Sequence, residues 1–224
     1  MKYLLALLAG LVTGVILFAL LLYFNPLAAP AKLSPLALSE TSQRVLNYSA
    51  VPADMVALTS SDEQAAGRRP AEIQTLWEPA IEDTRVFVSL LNGSRGQPAA
   101  LGVKFTTRAE EPGLLVSRVP VNSVWHLWWL GEGSLFVAQN ENRWSLLRQV
   151  IAPARLGAAN VWRGTWFGIM TSGPGALGTG RVAGGSGVMQ GLDGEAVESI
   201  NARAYSATEG PVSMDGSLVI ALPR

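Results

Sequence analysis

The chain has 224 residues, 49% of them hydrophobic, and a formal net charge of zero from 17 basic and 17 acidic side chains. That length holds one domain of ordinary size, and the even charge balance leaves no basic face of the kind that nucleic acid requires. There is no cysteine, which excludes disulfides, thiolate metal sites and a cysteine nucleophile together.

Tyr3 to Phe24 reads YLLALLAGLVTGVILFALLLYF and carries no charge. About 20 apolar residues span a hydrocarbon core, and a helix is the only local structure that pairs every backbone polar group there. Tyr3, Tyr23 and Phe24 stand at the two ends, where aromatics favour the interface. Asn25-Pro26 ends the helix, because proline lacks the N–H and disfavours helical geometry just before it. A cleaved signal peptide has a shorter apolar region; although Ala29-Pro30-Ala31 matches a cleavage site formally, residues 1–26 are expected to remain as an anchor. Lys2 favours a cytoplasmic start, which puts the bulk of the chain on the periplasmic side of a bacterial inner membrane. Ala6, Gly10 and Gly14 recur every four residues on one helix face, a spacing that lets another transmembrane helix approach closely.

Residues 27–83 are punctuated by proline and read as a linker with short helices. Ser39-Glu40-Thr41-Ser42 offers a cap for one helix running to Tyr48, and Pro70 opens a second through Trp77. From Thr84 the pattern turns to strands. Arg85–Leu91 ends at the turn signal Asn92-Gly93, and Leu101–Thr106, Val124–Leu130 and Leu135–Ala138 follow. Trp144–Ile151, Val161–Thr171, Val197–Ser206 and Leu218–Leu222 complete about eight short strands. Their spacing predicts a mostly β protein, with an antiparallel barrel over 84–224.

Gly173–Gly178 matches the dinucleotide-binding pattern G-x-G-x-x-G in form only, since a proline occupies its turn and no βαβ unit surrounds it. A structural role is expected instead, because glycines along strands permit sharp corners and close backbone approach. Gly178-Thr179-Gly180-Arg181-Val182-Ala183-Gly184-Gly185-Ser186-Gly187 resembles the G-x-G-x-F-x-G-A-x-G strand of the allene oxide cyclase and dirigent barrels. Val182 replaces the usual aromatic and Gly185 the usual alanine. The segment Asp215–Ile220 is similar to the final strand of those families. The resemblance implies an eight-stranded barrel with an apolar cavity, in families that cyclise or orient reactive hydrophobic intermediates. No catalytic residue of those families finds a match here.

His126 is the sole histidine, so a multi-histidine metal site is excluded, and no acidic partner is placed beside it by sequence. Alternation puts Val124, His126 and Trp128 on one strand face, with Trp125, Leu127 and Trp129 on the other. The acidic pairs Asp62-Glu63, Glu82-Asp83 and Glu110-Glu111 read as solvated charges. The chain has seven tryptophans; Trp162 and Trp166 alternate with Gly164 and Gly168, pairing indoles with gaps. Trp125, His126, Trp128, Trp129, Trp162 and Trp166 are therefore the candidate interface or cavity residues, by core packing, interface or cavity lining. Nothing in the sequence requires a cofactor.

Two functions fit. One is an accessory or scaffolding subunit of a membrane complex, whose partners are the lipid bilayer and another transmembrane helix. The other is a barrel that binds, and by the family resemblance isomerises, an apolar small molecule of lipid or isoprenoid type. A tryptophan-lined internal pocket favours the second; a filled barrel with exposed indoles favours the first.

Overall fold

The computed structural model describes residues 2–24, 41–51, 56–59, 84–108 and 117–223. Helix α1 (Lys2–Phe24) is uncharged after Lys2, exposed as far as its side chains are described, and long and apolar enough to cross a membrane. Among the described residues eleven strands follow: β1 (Thr41–Ser49), β2 (Val56–Thr59), β3 (Arg85–Gly93), β4 (Pro98–Arg108), β5 (Pro120–Trp129) and β6 (Gly133–Asn142), then β7 (Val161–Ile169), β8 (Thr171–Gly173), β9 (Gly180–Gly187), β10 (Asp193–Ser206) and β11 (Gly210–Pro223). Two short helices, α2 (Trp144–Leu146) and α3 (Ala152–Leu156), are joined by a π-helical turn and link β6 to β7.

The strands pair antiparallel in the order β1-β11-β10-β9-β6-β5-β4-β3, and the contact of Leu46 and Asn47 on β1 with Gly93 and Asn92 on β3 closes the ring. Closure of eight strands leaves little of the open edge that invites aggregation, and beyond the two-residue contact with β1, β3 pairs through Arg85–Val88 with β2. β9 spans only part of the gap between β6 and β10. Beyond its end β7 pairs with β10 and β8 with β6, so the chain bridges the same gap by bending at Met170.

Period-2 alternation decides what points inward. Leu91, Ala100, Leu127, Leu135, Val137, Ala196, Leu218 and Ile220 fill the interior and are fully buried. The filling is tight. A Cβ on Gly102 would meet Trp125 Cζ3 at 2.8 Å, and one on Gly216 would fall within the Tyr48 ring. These glycines are absences of side chain that make room for the two aromatics, which themselves pack edge-to-face with centroids 5.1 Å apart.

Two segments differ from the expected elements. The segment expected as a capped helix running to Tyr48 is strand β1, paired residue for residue with β11 from Thr41 to Ser49. Its alternation, with Leu46 and Tyr48 buried and Asn47 exposed, outweighs the capping pattern once β11 supplies a ladder. The barrel therefore takes in residues that the sequence placed in the linker. Trp144–Ile151, expected as a strand, is helical. Its apolar residues at 144, 147, 150 and 151 follow helical spacing, and Val150 is the one that reaches the core. The helix expected over Pro70–Trp77 and the three acidic pairs lie outside the described residues.

Candidate binding cleft beside a buried ion network

The inward residues of β4, β5 and β6 stand in register as rows running from one barrel end to the other. Gly102, Leu127 and Leu135 form an apolar row; Lys104, Trp125 and Val137 follow; then come Thr106, Ser123 and Gln139. Glu141 continues the series on β6, and Glu198 faces inward from β10 between Ala196 and Ile200. The same alternation that builds the core thus delivers charged side chains into one half of it.

Burying charge costs several kcal/mol per ion unless partners satisfy it, and here they do. Lys104 Nζ donates to Glu198 Oε1 at 2.7 Å and Oε2 at 2.8 Å, and lies 2.6 Å from Glu141 Oε1. Arg143 reaches Glu141 Oε2 through Nε at 3.0 Å and Nη2 at 2.9 Å. Tyr48 and Gln139 also donate to Glu198, and Trp125 Nε1 lies 3.4 Å from Glu198 Oε2. Thr171 ties the cluster to the backbone, accepting from the Glu198 N–H at 2.8 Å and donating to Gln139 Oε1 at 2.9 Å. Two carboxylates and two cations make the group neutral.

The electrostatics follow from this geometry. Burial alone would raise the Glu141 carboxyl, but Lys104 and Arg143 outweigh it and hold that group well below the usual carboxylate range. Burial, reinforced by the Glu198 charge, pushes the Tyr48 hydroxyl well above its ordinary value, so it stays protonated and donates. The Arg143 guanidinium is raised, Glu141 overcoming the opposing effect of burial. An ammonium has three donors and a carboxylate about four acceptor sites; Lys104 and Glu198 use all of theirs within the cluster. The cluster cross-links β1, β4, β6 and β10 through the barrel interior.

Glu141 also lines a cleft of about 310 Å³ with Arg118, Pro120, Asn122, Asn140, Asn142 and Ser172. Asn142 is occupied structurally, accepting from the Val119 and Trp144 N–H groups and donating to Ser117 O. Asn122 and Asn140 are register partners on β5 and β6 and are exposed. They belong to the outward rows, so the cleft opens onto the outside of the barrel.

That outside is apolar. The next outward register pairs are Val124 with Ala138 and then His126 with Phe136, while Trp128 follows on β5. Across β4 the same rows continue through Phe105, Val103 and Leu101 to Val88 and Leu90 on β3. His126 stacks on Phe136 at 4.1 Å and lies 3.6 Å from the Trp128 ring centre. Burial lowers the His126 pKa, so the imidazole is neutral at pH 7 and the face carries no charge. Leu90, Leu101, Phe105, Trp128 and Phe136 are each 40–51% exposed.

The candidate residues from sequence separate accordingly. Trp125 and Trp129 lie inside the barrel and His126 and Trp128 outside, on opposite faces as the alternation required. Trp162 and Trp166 lie on β7, each indole over a glycine two residues on: a Cβ on Gly164 would meet Trp162 Cζ2 at 2.9 Å, and one on Gly168 would strike the Trp166 ring. The six do not converge on one cavity, and the cleft contains none of them. Ala6, Gly10 and Gly14 lie on exposed helix, and the space about Gly10 and Gly14 is open. Sequence reading missed Tyr48, Lys104, Glu141, Arg143 and Glu198. A signal was there for two of them: Glu141 continues the phase of Leu135 and Val137, and Glu198 that of Ala196 and Ile200, which is where solvated charges do not belong, whereas Lys104 stands in the polar phase of β4, opposite Leu101, Val103 and Phe105.

No family model and no curated protein matches the chain. Among solved structures, it is similar to a nonspecific heme-binding cyclase that catalyses a (4 + 2) cycloaddition during neoabyssomicin biosynthesis. The identity is 10% over 84% of this chain and 70% of that one, with a TM-score of 0.43. It is also similar to AbnU, an exo-specific intermolecular Diels-Alderase, at 11% identity over 80% of this chain and 98% of that one, with a TM-score of 0.36. At such identity the likeness concerns chain path and says nothing of chemistry.

Proposed function

We propose that this protein is a membrane-tethered barrel that binds an amphiphile of lipid or isoprenoid type. Its polar end enters the cleft at Asn122 and Asn140, and its apolar part lies along the outer face. The observation that carries this is the register: the Asn122–Asn140 pair adjoins the Val124–Ala138 and His126–Phe136 pairs, so polar and apolar subsites form one strip. Polar groups in the cleft fix orientation, and apolar surface beside it supplies the burial that drives binding. The described interior is tightly packed about Gly102 and Gly216, and the cleft opens outward, so the ligand is read from the outside. Binding is proposed because the polar cleft and the apolar rows adjoin on one face.

The test is to purify the full chain in mild detergent and identify bound lipids by native mass spectrometry. Retention of one amphiphile class, lost in Asn122→Leu/Asn140→Leu with the fold intact, is expected. No retained amphiphile, or retention indifferent to that substitution, overturns it.

A second reading, an accessory subunit of a membrane complex, is favoured by the exposed indole at Trp128 beside a tightly packed described interior. In that role α1 packs against a partner helix through Ala6, Gly10 and Gly14.

A further inference from the structure

The outer face of β3–β6 is unusual for a soluble barrel. Strands ~4.8 Å apart with a rise of ~3.3 Å per residue make its four strands and three outward rows an area of roughly 400 Å². That is as large as the largest apolar patch of an ordinary monomer, and such patches mark contact surfaces. Apart from His126, no acidic or basic residue lies within the rows that hold Leu101, Phe105, Val124, Trp128 and Phe136.

We infer that this face docks on the surface of the bilayer that α1 enters, bringing the cleft to headgroup level. The inference rests on the membrane-tethered reading above, and three observations choose lipid over other occupants. A stable dimer buries about 800 Å² on each partner, twice what the face provides, so a second copy is poorly matched. A tethered surface needs far less, because tethering raises its effective concentration to the order of mM. Residues 25–40 separate the end of α1 from the start of β1, and a chain of that length reaches at most about 55 Å, which keeps the barrel beside the bilayer.

Charge is the third observation. Arg181, in register with Ala138, and Arg118, in the cleft, flank the border where the face meets Asn122 and Asn140. Both are exposed. With Trp128, His126, Phe136 and Phe105 seated at the interface, where amphipathic aromatics are favoured, these guanidiniums lie at the depth of lipid phosphates, and guanidinium binds phosphate in two-point fashion. The cleft then takes the head of a lipid without drawing the whole molecule from the membrane.

The chain has no cysteine, so single cysteines accept spin labels without background. Val124→Cys and Leu101→Cys place labels on the face; Asp215→Cys places one on β11, across the ring. Each full-length variant is reconstituted in phosphatidylcholine vesicles containing phosphatidylglycerol. Label collisions are then measured with oxygen, which concentrates in lipid, and with a water-soluble nickel chelate. The oxygen-to-nickel ratio is expected to be severalfold higher at positions 124 and 101 than at 215. Ratios equal at all three sites, with the protein still resisting carbonate extraction, overturn docking and leave the anchor intact. Extraction by carbonate overturns the anchor itself. Spin–spin broadening at 124 that persists on dilution into excess lipid means that a second copy covers the face, and this also overturns the inference.

Discussion

Lys104 and Glu198 meet at 2.7 Å from strands that stand opposite one another in the closed ring, β4 and β10. The pair therefore crosses the barrel and does not follow any hydrogen-bonded ladder. Each side chain is nearly or wholly buried, which sets the energetic consequences of disturbing either.

Replacing Lys104 by methionine keeps most of the volume but leaves Glu198 and Glu141 with only Arg143 between them. Breaking a buried pair in this way costs about 3–5 kcal/mol, because an uncompensated charge remains. Lys104→Met is expected to lower stability by that amount in chemical denaturation of the full chain in detergent. Lys104→Met/Glu198→Gln is expected to recover part of the loss. A double variant no better than the single one would show that the pair is not coupled.

Glu141 gives the pH dependence. Its carboxyl is held well below the usual range by Lys104 and Arg143, whereas in the unfolded chain it titrates near ~4.3. The folded state thus binds fewer protons than the unfolded state in acid, and stability falls as pH falls. The contribution is complete above about pH 5 and drains away as pH drops below ~4 towards the folded value. Glu141→Gln is expected to lower the melting temperature at pH 7 and to flatten its decline between pH 5 and pH 2. An acid limb as steep as that of the natural chain would assign the decline to other carboxylates.

Gly184 lies on β9, where its N–H donates to Leu192 O at 2.7 Å, and a Cβ there would overlap the Met189 carbonyl oxygen. Gly184→Val is expected to destabilise by about 1–3 kcal/mol, the usual cost of forced overpacking. Nucleotides are expected to leave the melting temperature unchanged, because this glycine-rich run is a strand and a turn. A saturable shift with any nucleotide would reverse that.

On α1, Gly10→Leu/Gly14→Leu fills the open side of the helix. If a partner helix packs there, leucine holds the backbones apart and forfeits close contact. Loss of co-purifying membrane protein is expected, with insertion retained because leucine is the more apolar residue. Undiminished recovery of partners, with the barrel unchanged by circular dichroism, would make the small-residue face incidental.

Much of this architecture was legible in the residues. The apolar run from Tyr3 to Phe24 determines a helix by length alone, and the alternation through Val124–Trp129 determines that Trp125 and Trp129 share a face opposite Trp128, because side chains on a strand have no third direction. The indole-over-glycine pairs at Trp162 and Trp166 were equally readable, since residues two apart share a face. Local pattern failed where two periods overlapped. Trp144–Ile151 is apolar enough for either element, and Thr41–Ser49 became a strand only because β11 offered nine residues of partner backbone.

The ion network belongs to the tertiary structure. Tyr48, Lys104, Glu141, Arg143 and Glu198 are scattered over 150 residues of chain, and no spacing rule connects them. Each by itself reads as a misplaced or solvated group. Closure of the ring sets β4 opposite β10 and brings β1 alongside β11, so that five isolated residues become one neutral, fully bonded cluster. The sequence determined which side chains share a strand face; which face points inward, and which inward groups meet, was decided by the order and register of the strands around the barrel, because pairing in three dimensions is set by the closed sheet and not by distance along the chain.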